Sequence, residues 1–314
     1  MAVLTEVSDE QAGALCRLYG LGELDALTGI PQGIENTNYK LMAGGKRYIL
    51  TLFEGRTDLS ELPYFLTLMN EVAEAGLPAP RPLEQAEGGM LTEVAGKPAA
   101  ILSFLRGKDI PAPTPEDAHG AGAFLARLHQ VTANTSLHRP NSMGVASWQV
   151  MAKRLSGRLD HFAGGLEAEV SDVLSELTVS KPSGLPRGAI HADYFPDNLL
   201  WSDGAISGVI DFYFACTDDL AYDLAVAMNA YTPEDRPDEG QGDALLEGYE
   251  TVRPLTKAEK AALPAFLTGS ALRFFLSRAT DLVFPPQGAL YQGKDPLPWL
   301  ELMRKRREKM GAAT

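Results

Sequence analysis

Between positions 189 and 213 the chain reads Ala-Ile-His-Ala-Asp-Tyr-Phe-Pro-Asp-Asn-Leu-Leu-Trp-Ser-Asp-Gly-Ala-Ile-Ser-Gly-Val-Ile-Asp-Phe-Tyr, and this stretch restricts the fold more than any other. Leu199-Leu200-Trp201 and Ile206-Ser207-Gly208-Val209-Ile210 are two short apolar runs joined by Ser202-Asp203-Gly204. Apolar runs separated by Asp-Gly predict a tight hairpin. Such a hairpin puts Asn198 just before one strand and Asp211 at the end of the next, so both side chains can converge on one cation. His191 and Asp193 lie just upstream. The order is a His, an Asp two residues on, an Asn five further, and a second Asp thirteen beyond the Asn.

Phosphoryl transfer from ATP needs this set of parts. A carboxylate accepts the alcohol's proton, and an amide and a second carboxylate hold Mg²⁺. The spacing His-x-Asp-x-x-x-x-Asn is the catalytic-loop pattern of protein-kinase-like enzymes. Ala192 stands where protein kinases usually carry Arg, and Tyr213 follows Asp211-Phe212 where they place Gly. Asp193 is the expected catalytic base, and Asn198 and Asp211 are the expected metal ligands. The ordinary alternative is a surface turn followed by a chance Asp-Phe, and the agreement between the motif and its strand context speaks against it. His191 is expected to be structural, bonded to the loop backbone, because Asp193 is the better-placed proton acceptor.

Elsewhere the pattern alternates between sheet and helix. Ser8 caps an expected helix over Asp9–Tyr19. Gly33–Asn38 reads as a turn between strands, and Gly44-Gly45 as the hairpin turn into Tyr48–Phe53. Leu59–Ala75 has helical spacing, stops at Gly76, and leads into a proline-rich extended run. Strands are expected at 90–93 and 99–105. The Pro- and Gly-rich stretch 106–115 is the clearest linker, which predicts two lobes, residues 1–105 and 106–314. Beyond it, helices are expected over 115–131, over 146–177 with a break near Gly164-Gly165, from Asp218 to about Tyr231, and over 257–279. A surface loop is expected at 232–243, and the basic run Arg304–Arg307 is expected on the solvated face of a last helix. His129 is expected to pack or cap rather than catalyse.

The net charge of −13 argues against nucleic acid and anionic membranes as partners, since both need a basic face. No apolar run reaches the ~20 residues of a membrane span. Two cysteines are too few for a disulfide framework and suit a reducing compartment. Met1–Ser8 lacks the basic start and apolar core of a secretion signal. A cytoplasmic protein is expected.

The 189–213 stretch resembles the catalytic region of the aminoglycoside-phosphotransferase-like small-molecule kinases. Within that superfamily the chain resembles the bacterial homoserine kinases. The resemblance rests on Gly-Ile-Glu-Asn-Thr-Asn-Tyr at 33–39, Glu-Leu-Pro at 61–63, the Phe-Pro-Asp-Asn loop and Leu-Arg-Phe-Phe-Leu-Ser-Arg at 272–278. It implies an α+β, two-lobed protein-kinase-like fold, with an N-terminal antiparallel sheet lobe and a mainly helical C-terminal lobe. It implies ATP- and Mg²⁺-dependent phosphorylation of L-homoserine to O-phospho-L-homoserine, a step of threonine biosynthesis. It implies that Gly33, Asn36, Thr37 and Asn38 form the nucleotide loop and that the adenine meets Ser103, Phe104 and Leu105. Asp223 would bond the catalytic-loop backbone, and Glu61 would steady the phosphate-binding cation. Simple helix N-terminal carboxylates are the alternative for both, and Glu71 and Glu74 compete with Glu61.

One departure stands out. Kinase-like folds place a phosphate-clamping Lys on the third strand, where this chain has Thr51. Lys40, reaching from the loop side, is the first candidate to replace it, and Arg47 the next. The missing lysine leaves a nucleotide-binding pseudokinase scaffold as a competing reading, and kinases of choline or aminoglycosides as competing activities. An amino-acid acceptor needs an acid for its ammonium and a base for its carboxylate. Asp197 and Asp218 or Asp219 are candidates for the first, and Arg273 for the second. Arg278 could bind a carboxylate in the same way, but surface ion pairs are the expectation for it.

Overall fold

The computed structural model describes residues 3–31, 36–54, 58–179, 183–232, 240–285 and 293–312. The chain divides into two compact units. One comprises the described residues of 1–108 together with 200–213, and the other those of 109–199, 214–285 and 293–312. The division after Lys108 falls inside the expected linker, and residues 200–213 group with the first unit.

In the first unit, helix α1 (Asp9–Leu18) starts at a capping box. The Ser8 hydroxyl accepts the Gln11 N–H and the Gln11 side chain accepts the Ser8 N–H, which satisfies two donors the first turn would leave open. Strands β1 (Leu24–Ile30), β2 (Asn36–Ala43), β3 (Lys46–Phe53), β4 (Leu91–Val94) and β5 (Lys97–Ser103) form one antiparallel sheet in the order β1-β2-β3-β5-β4. Gly44 and Gly45 both take positive φ between β2 and β3, as a two-residue turn matched to strand twist requires. Alternation sends Tyr39, Leu41, Leu50 and Ile101 into a core with Ala12, Leu15 and Cys16 of α1. Asn38, Lys40, Ile49 and Thr51 take the opposite face, since Asn38 pairs with Thr51 and Lys40 with Ile49.

A 3₁₀ turn at Leu59–Glu61 precedes helix α2 (Leu62–Glu74), which buries Leu62, Phe65, Leu66, Met69 and Val72. The expected 202–204 turn joins β7 (Leu199–Ser202) to β8 (Ala205–Val209). The linker residues Arg106–Lys108 dock on this hairpin. Lys108 and Trp201 exchange backbone hydrogen bonds, and the Ser207 hydroxyl donates to the Arg106 carbonyl.

In the second unit, helix α3 (Pro115–Thr132) begins at a Thr114–Asp117 capping box. Helices α4 (Val145–Arg154) and α5 (Leu166–Val179) follow, and the Gly164-Gly165 break lies between them. Strand β6 (Arg187–Ile190) pairs antiparallel with β9 (Cys216–Asp219). Then come α6 (Leu220–Ala230), α7 (Gln241–Val252), α8 (Lys257–Val283) and α9 (Leu297–Ala312). A core of Trp148, Val170, Ile190, Val226, Leu272, Phe275, Leu300 and Met303 joins α4, α5, β6, α6, α8 and α9. No helix among the described residues is long and apolar enough to cross a membrane.

Several expectations are corrected. Asn36–Asn38 belong to β2 rather than to a turn, and Gly33 lies outside the described residues. Asp218 sits in β9, so α6 starts at Leu220. Gln241 already belongs to α7, although the loop was expected to reach 243, and 233–239 lie outside the described residues. The basic run on α9 is not simply a solvated face. Arg304 grips Glu169, Arg307 grips Glu176, and Arg306 donates to Asn229.

Helices α3 and α7 interlock through glycine. A Cβ added at Gly122 would lie 1.9 Å from the Leu245 carbonyl oxygen, and one at Gly248 1.9 Å from that of His119. Both obstacles are backbone, so the helices themselves would have to separate. Alanine gains roughly 1 kcal/mol of helix propensity over glycine, but overpacking costs about 1–3 kcal/mol or more. Gly248→Ala is therefore expected to lower the thermal midpoint in a melting experiment. Gly13→Ala, on the open side of α1, should be neutral or stabilising.

Candidate active site

Strand β6 delivers the chain to His191, and the loop that follows is pinned from below by one carboxylate. Asp223, in the first turn of α6 and 0% exposed, accepts the N–H of His191 at 2.8 Å and that of Ala192 at 2.7 Å. Ala192 needs this restraint, because its φ of 61° is costly for a residue with a Cβ. Behind Asp223 runs a chain of buried donors. Arg253 bonds Glu259 and donates to the Tyr249 hydroxyl. Tyr249 contacts His129 Nδ1 at 2.7 Å, and His129 Nε2 contacts Asp223 at 3.0 Å. With Nε2 as the donor, every link is satisfied in one direction. Burial would raise the Asp223 pKa, but the His129 bond, the nearby His191 ring and the loop amide more than offset it. The result lies below the ordinary carboxylate range.

Asp193 is positioned from both sides. Its N–H donates to His191 Nδ1 at 3.3 Å. Asn198 Nδ2 donates to the Asp193 carbonyl at 2.8 Å and to its carboxylate at 3.2 Å. The amide nitrogen of Asn198 is thus turned to Asp193, which leaves Oδ1 as the atom able to serve a cation. Burial pushes the Asp193 pKa up, with Arg273, His191 and Lys294 pulling against it and Asp197 adding to it. A raised carboxyl pKa makes a stronger base, as proton abstraction from an alcohol requires.

Arg273 is 2% exposed. Its Nη1 donates to the Ala192 carbonyl at 2.5 Å, and its guanidinium lies against the rings of Phe274 and Phe214. Nη1 is thus turned to the catalytic-loop backbone rather than to an acceptor carboxylate. Asp218 is corrected too. It pairs with Gly188, toward the end of the ladder away from His191. Its carboxylate is engaged by Asn141 and Arg187, and Asp219 also lies beside Arg187. Asp197 is exposed, next to Asn198.

In the first unit the structure spends side chains that were expected at a nucleotide. Asn36 accepts the Glu54 N–H, and buried Thr37 takes the N–H groups of Leu4 and Thr5 and donates to Glu54. Thr51 donates to Asn38 at 2.7 Å, and in the same unit the Tyr213 ring meets Phe53 and Phe65 edge-on. A neutral network thus occupies the position of the strand lysine. Lys40 is exposed and on the same face as Thr51, so it need not reach from the loop side. Arg47 lies over Phe104 at 4.5 Å. Ser103 exchanges bonds with Arg81, and Leu105 packs near Gly208. Glu61 ends the 3₁₀ turn before α2, half-buried. Asp211 has φ 65° and so, like Ala192, is one of the four described non-glycine residues with positive φ, a conformation that gathers at functional sites.

The second unit also holds a cavity of about 600 Å³, lined in part by Phe195, Asp197, Arg278, Asp295, Trp299 and Lys305. Of its lining, the sequence singles out Asp197 and, as the less favoured of two arginines able to bind a carboxylate, Arg278. The signal that was present is the spacing of the two arginines. Five helical residues turn through roughly 140° beyond one full turn, so if Arg273 faces the core, Arg278 must face elsewhere.

An antiparallel sheet unit, a helical unit and a carboxylate–amide catalytic loop define a kinase-like phosphotransferase. The sequence matches the phosphotransferase enzyme family over residues 26–255, and the chain belongs to that family. Among curated relatives, it is 44% identical over 306 residues to a homoserine kinase of Xanthobacter autotrophicus, covering 97% of this chain and 95% of that one. It is 43% identical over 310 residues to a homoserine kinase of a Chelativorans species, covering 98% and 96%. Among solved structures, an amicoumacin kinase in complex with AMP-PNP, Ca²⁺ and Ami aligns with a TM-score of 0.68 at 16% identity, covering 95% of this chain and 92% of that one. At that identity the likeness speaks to the fold.

Proposed function

We propose that this protein transfers the γ-phosphoryl group of ATP to the side-chain hydroxyl of L-homoserine, in the cytoplasm. The observation that carries the reading is the Asp193–Asn198 arrangement on a loop pinned by Asp223, in a chain 44% identical to a homoserine kinase along almost its whole length. Asp193 takes the hydroxyl proton as the oxygen attacks. Asn198 Oδ1 and Asp211 are the proposed ligands of Mg²⁺, which neutralises phosphate charge when bound. No group of three or more His, Cys, Asp or Glu side chains is placed to hold a metal among the described residues. A magnesium site built from one carboxylate, one amide and the phosphates needs none. Residues 1–105 are proposed as the nucleotide-binding lobe, with Ser103–Leu105 at the adenine and Glu61 supporting the phosphate side, and 106–314 as the lobe for the acceptor.

The test is ATP turnover with L-homoserine, choline and an aminoglycoside as acceptors. O-phospho-L-homoserine is the expected product, and the other two should be poor acceptors. Turnover with an aminoglycoside and none with L-homoserine would remove the substrate assignment and leave the family standing.

Lys40 is the proposed replacement for the missing strand lysine. It is exposed, and it lies on the sheet face that carries Thr51. A charge-assisted contact is worth about 1.5–3 kcal/mol, so Lys40→Ala should raise the Michaelis constant for ATP by roughly tenfold or more. An unchanged constant would shift the role to Arg47 or to backbone donors alone.

A further inference from the structure

The cavity beside the catalytic loop carries both signs of charge. Phe195 and Asp197, two and four residues past Asp193, contribute to one wall. Arg278, Asp295, Trp299 and Lys305 contribute from α8, α9 and the segment between them. The acids are Asp109, Asp197, Asp295 and Glu301, and a polycationic acceptor would meet the like charges of Arg278 and Lys305 among them. Acid and guanidinium lining one small-molecule-sized cavity match a zwitterion.

The Arg278 guanidinium is oriented before any ligand arrives. Nη1 donates to the Asp295 carbonyl at 3.0 Å, and the group lies 5.3 Å over the Trp299 ring. Asp295 is itself fixed, because its carboxylate accepts the Leu297 N–H at the start of α9. A guanidinium held in place loses little entropy on binding a carboxylate. Arg273 lacks this access, being buried under Ala192.

We infer that this cavity is the amino-acid recognition site, in which Arg278 receives the α-carboxylate of the acceptor and Asp197 its ammonium group. The inference rests on the homoserine reading and deepens it. The loop that contributes Phe195 and Asp197 to the cavity also carries Asp193, to which the hydroxyl end of the acceptor would be presented.

The test compares three acceptors: L-homoserine, 3-aminopropan-1-ol, which lacks the carboxylate, and 4-hydroxybutanoate, which lacks the ammonium. In Arg278→Gln the ratio of kcat/KM for L-homoserine to that for 3-aminopropan-1-ol should fall about ten- to a hundredfold, the scale of a lost charge-assisted contact. Arg278→Lys should restore part of it. In Asp197→Asn the ratio of L-homoserine to 4-hydroxybutanoate should fall instead. Calorimetric titration with L-homoserine, without ATP, gives a readout independent of turnover. Binding to wild type that weakens at least tenfold in Arg278→Gln supports the inference even where L-homoserine is not phosphorylated. Wild-type turnover of L-homoserine with both ratios unmoved by the substitutions overturns it and leaves the homoserine reading intact. A wild-type protein that neither binds nor phosphorylates L-homoserine overturns both.

Discussion

Asp193→Ala is expected to lower kcat with L-homoserine by about two to four orders of magnitude, the range of general-base contributions, while the Michaelis constant for ATP moves little. The carboxylate accepts from Asn198 while the Asp193 N–H donates to His191, and the carboxylate's proposed duty is toward the acceptor. Steady-state kinetics check this, and a variant retaining near-normal kcat would remove Asp193 from the chemistry. The pH profile provides a second check. Only the ionised carboxylate is a base, and burial raises its pKa. Activity should therefore rise with pH through a limb lying above the usual carboxylate range of about 4. The same shift has a stability consequence. A carboxyl with a raised folded pKa loses more by ionising in the folded state than in the unfolded one. Asp193→Asn should thus melt higher than wild type near neutral pH, and the gain should vanish below the unfolded pKa.

Asp223→Ala should be the most destabilising single substitution near the site, by about 3–5 kcal/mol, the range for breaking a buried charged network from one side. It orphans the amides of His191 and Ala192 and leaves the donor chain of His129, Tyr249 and Arg253 facing nothing. Urea unfolding would measure the loss, and turnover should fall with it, because Ala192 no longer has support for its left-handed conformation. The pH dependence has the opposite sign to that of Asp193. The Asp223 pKa is lowered in the folded state, so its stabilisation is fully present above the unfolded value. It is lost as pH falls from there through the depressed folded value. A loss in Asp223→Ala below about 1 kcal/mol would mean that the loop is held by other contacts.

Short-range features were legible in the sequence because each is set by neighbouring residues. The Asp-Gly and Gly-Gly hairpin turns, the Ser8 cap and the His191–Asn198 spacing need no knowledge of the rest of the chain. The errors share a different cause. Asp218 was read as opening a helix because nothing local announces that β9 will pair with β6, some thirty residues earlier. Asn36–Asn38 were read as loop because polar residues favour turns, yet pairing with β3 and the bonds from Leu4, Thr5, Glu54 and Thr51 hold them in a strand. Arg273 and Arg278 were both visible as arginines, but which one the core would claim depends on the rotation of a 27-residue helix. The arginines of α9 looked like a solvated face because their partners lie on α5 and α6, more than seventy residues away.

The neutral pair at Thr51 and Asn38 bears on how this protein would be detected in a cell extract. Reagents that acylate the strand lysine of kinase-like enzymes need a primary amine at that position. Here they would meet a hydroxyl committed to an amide, inside a packed aromatic corner formed by Phe53, Phe65 and Tyr213. A proteome-wide survey built on lysine capture would pass over position 51 even with nucleotide-directed delivery. With Lys40 as the proposed clamp, label is expected on the adjacent strand instead, and a peptide map of the adduct is the check.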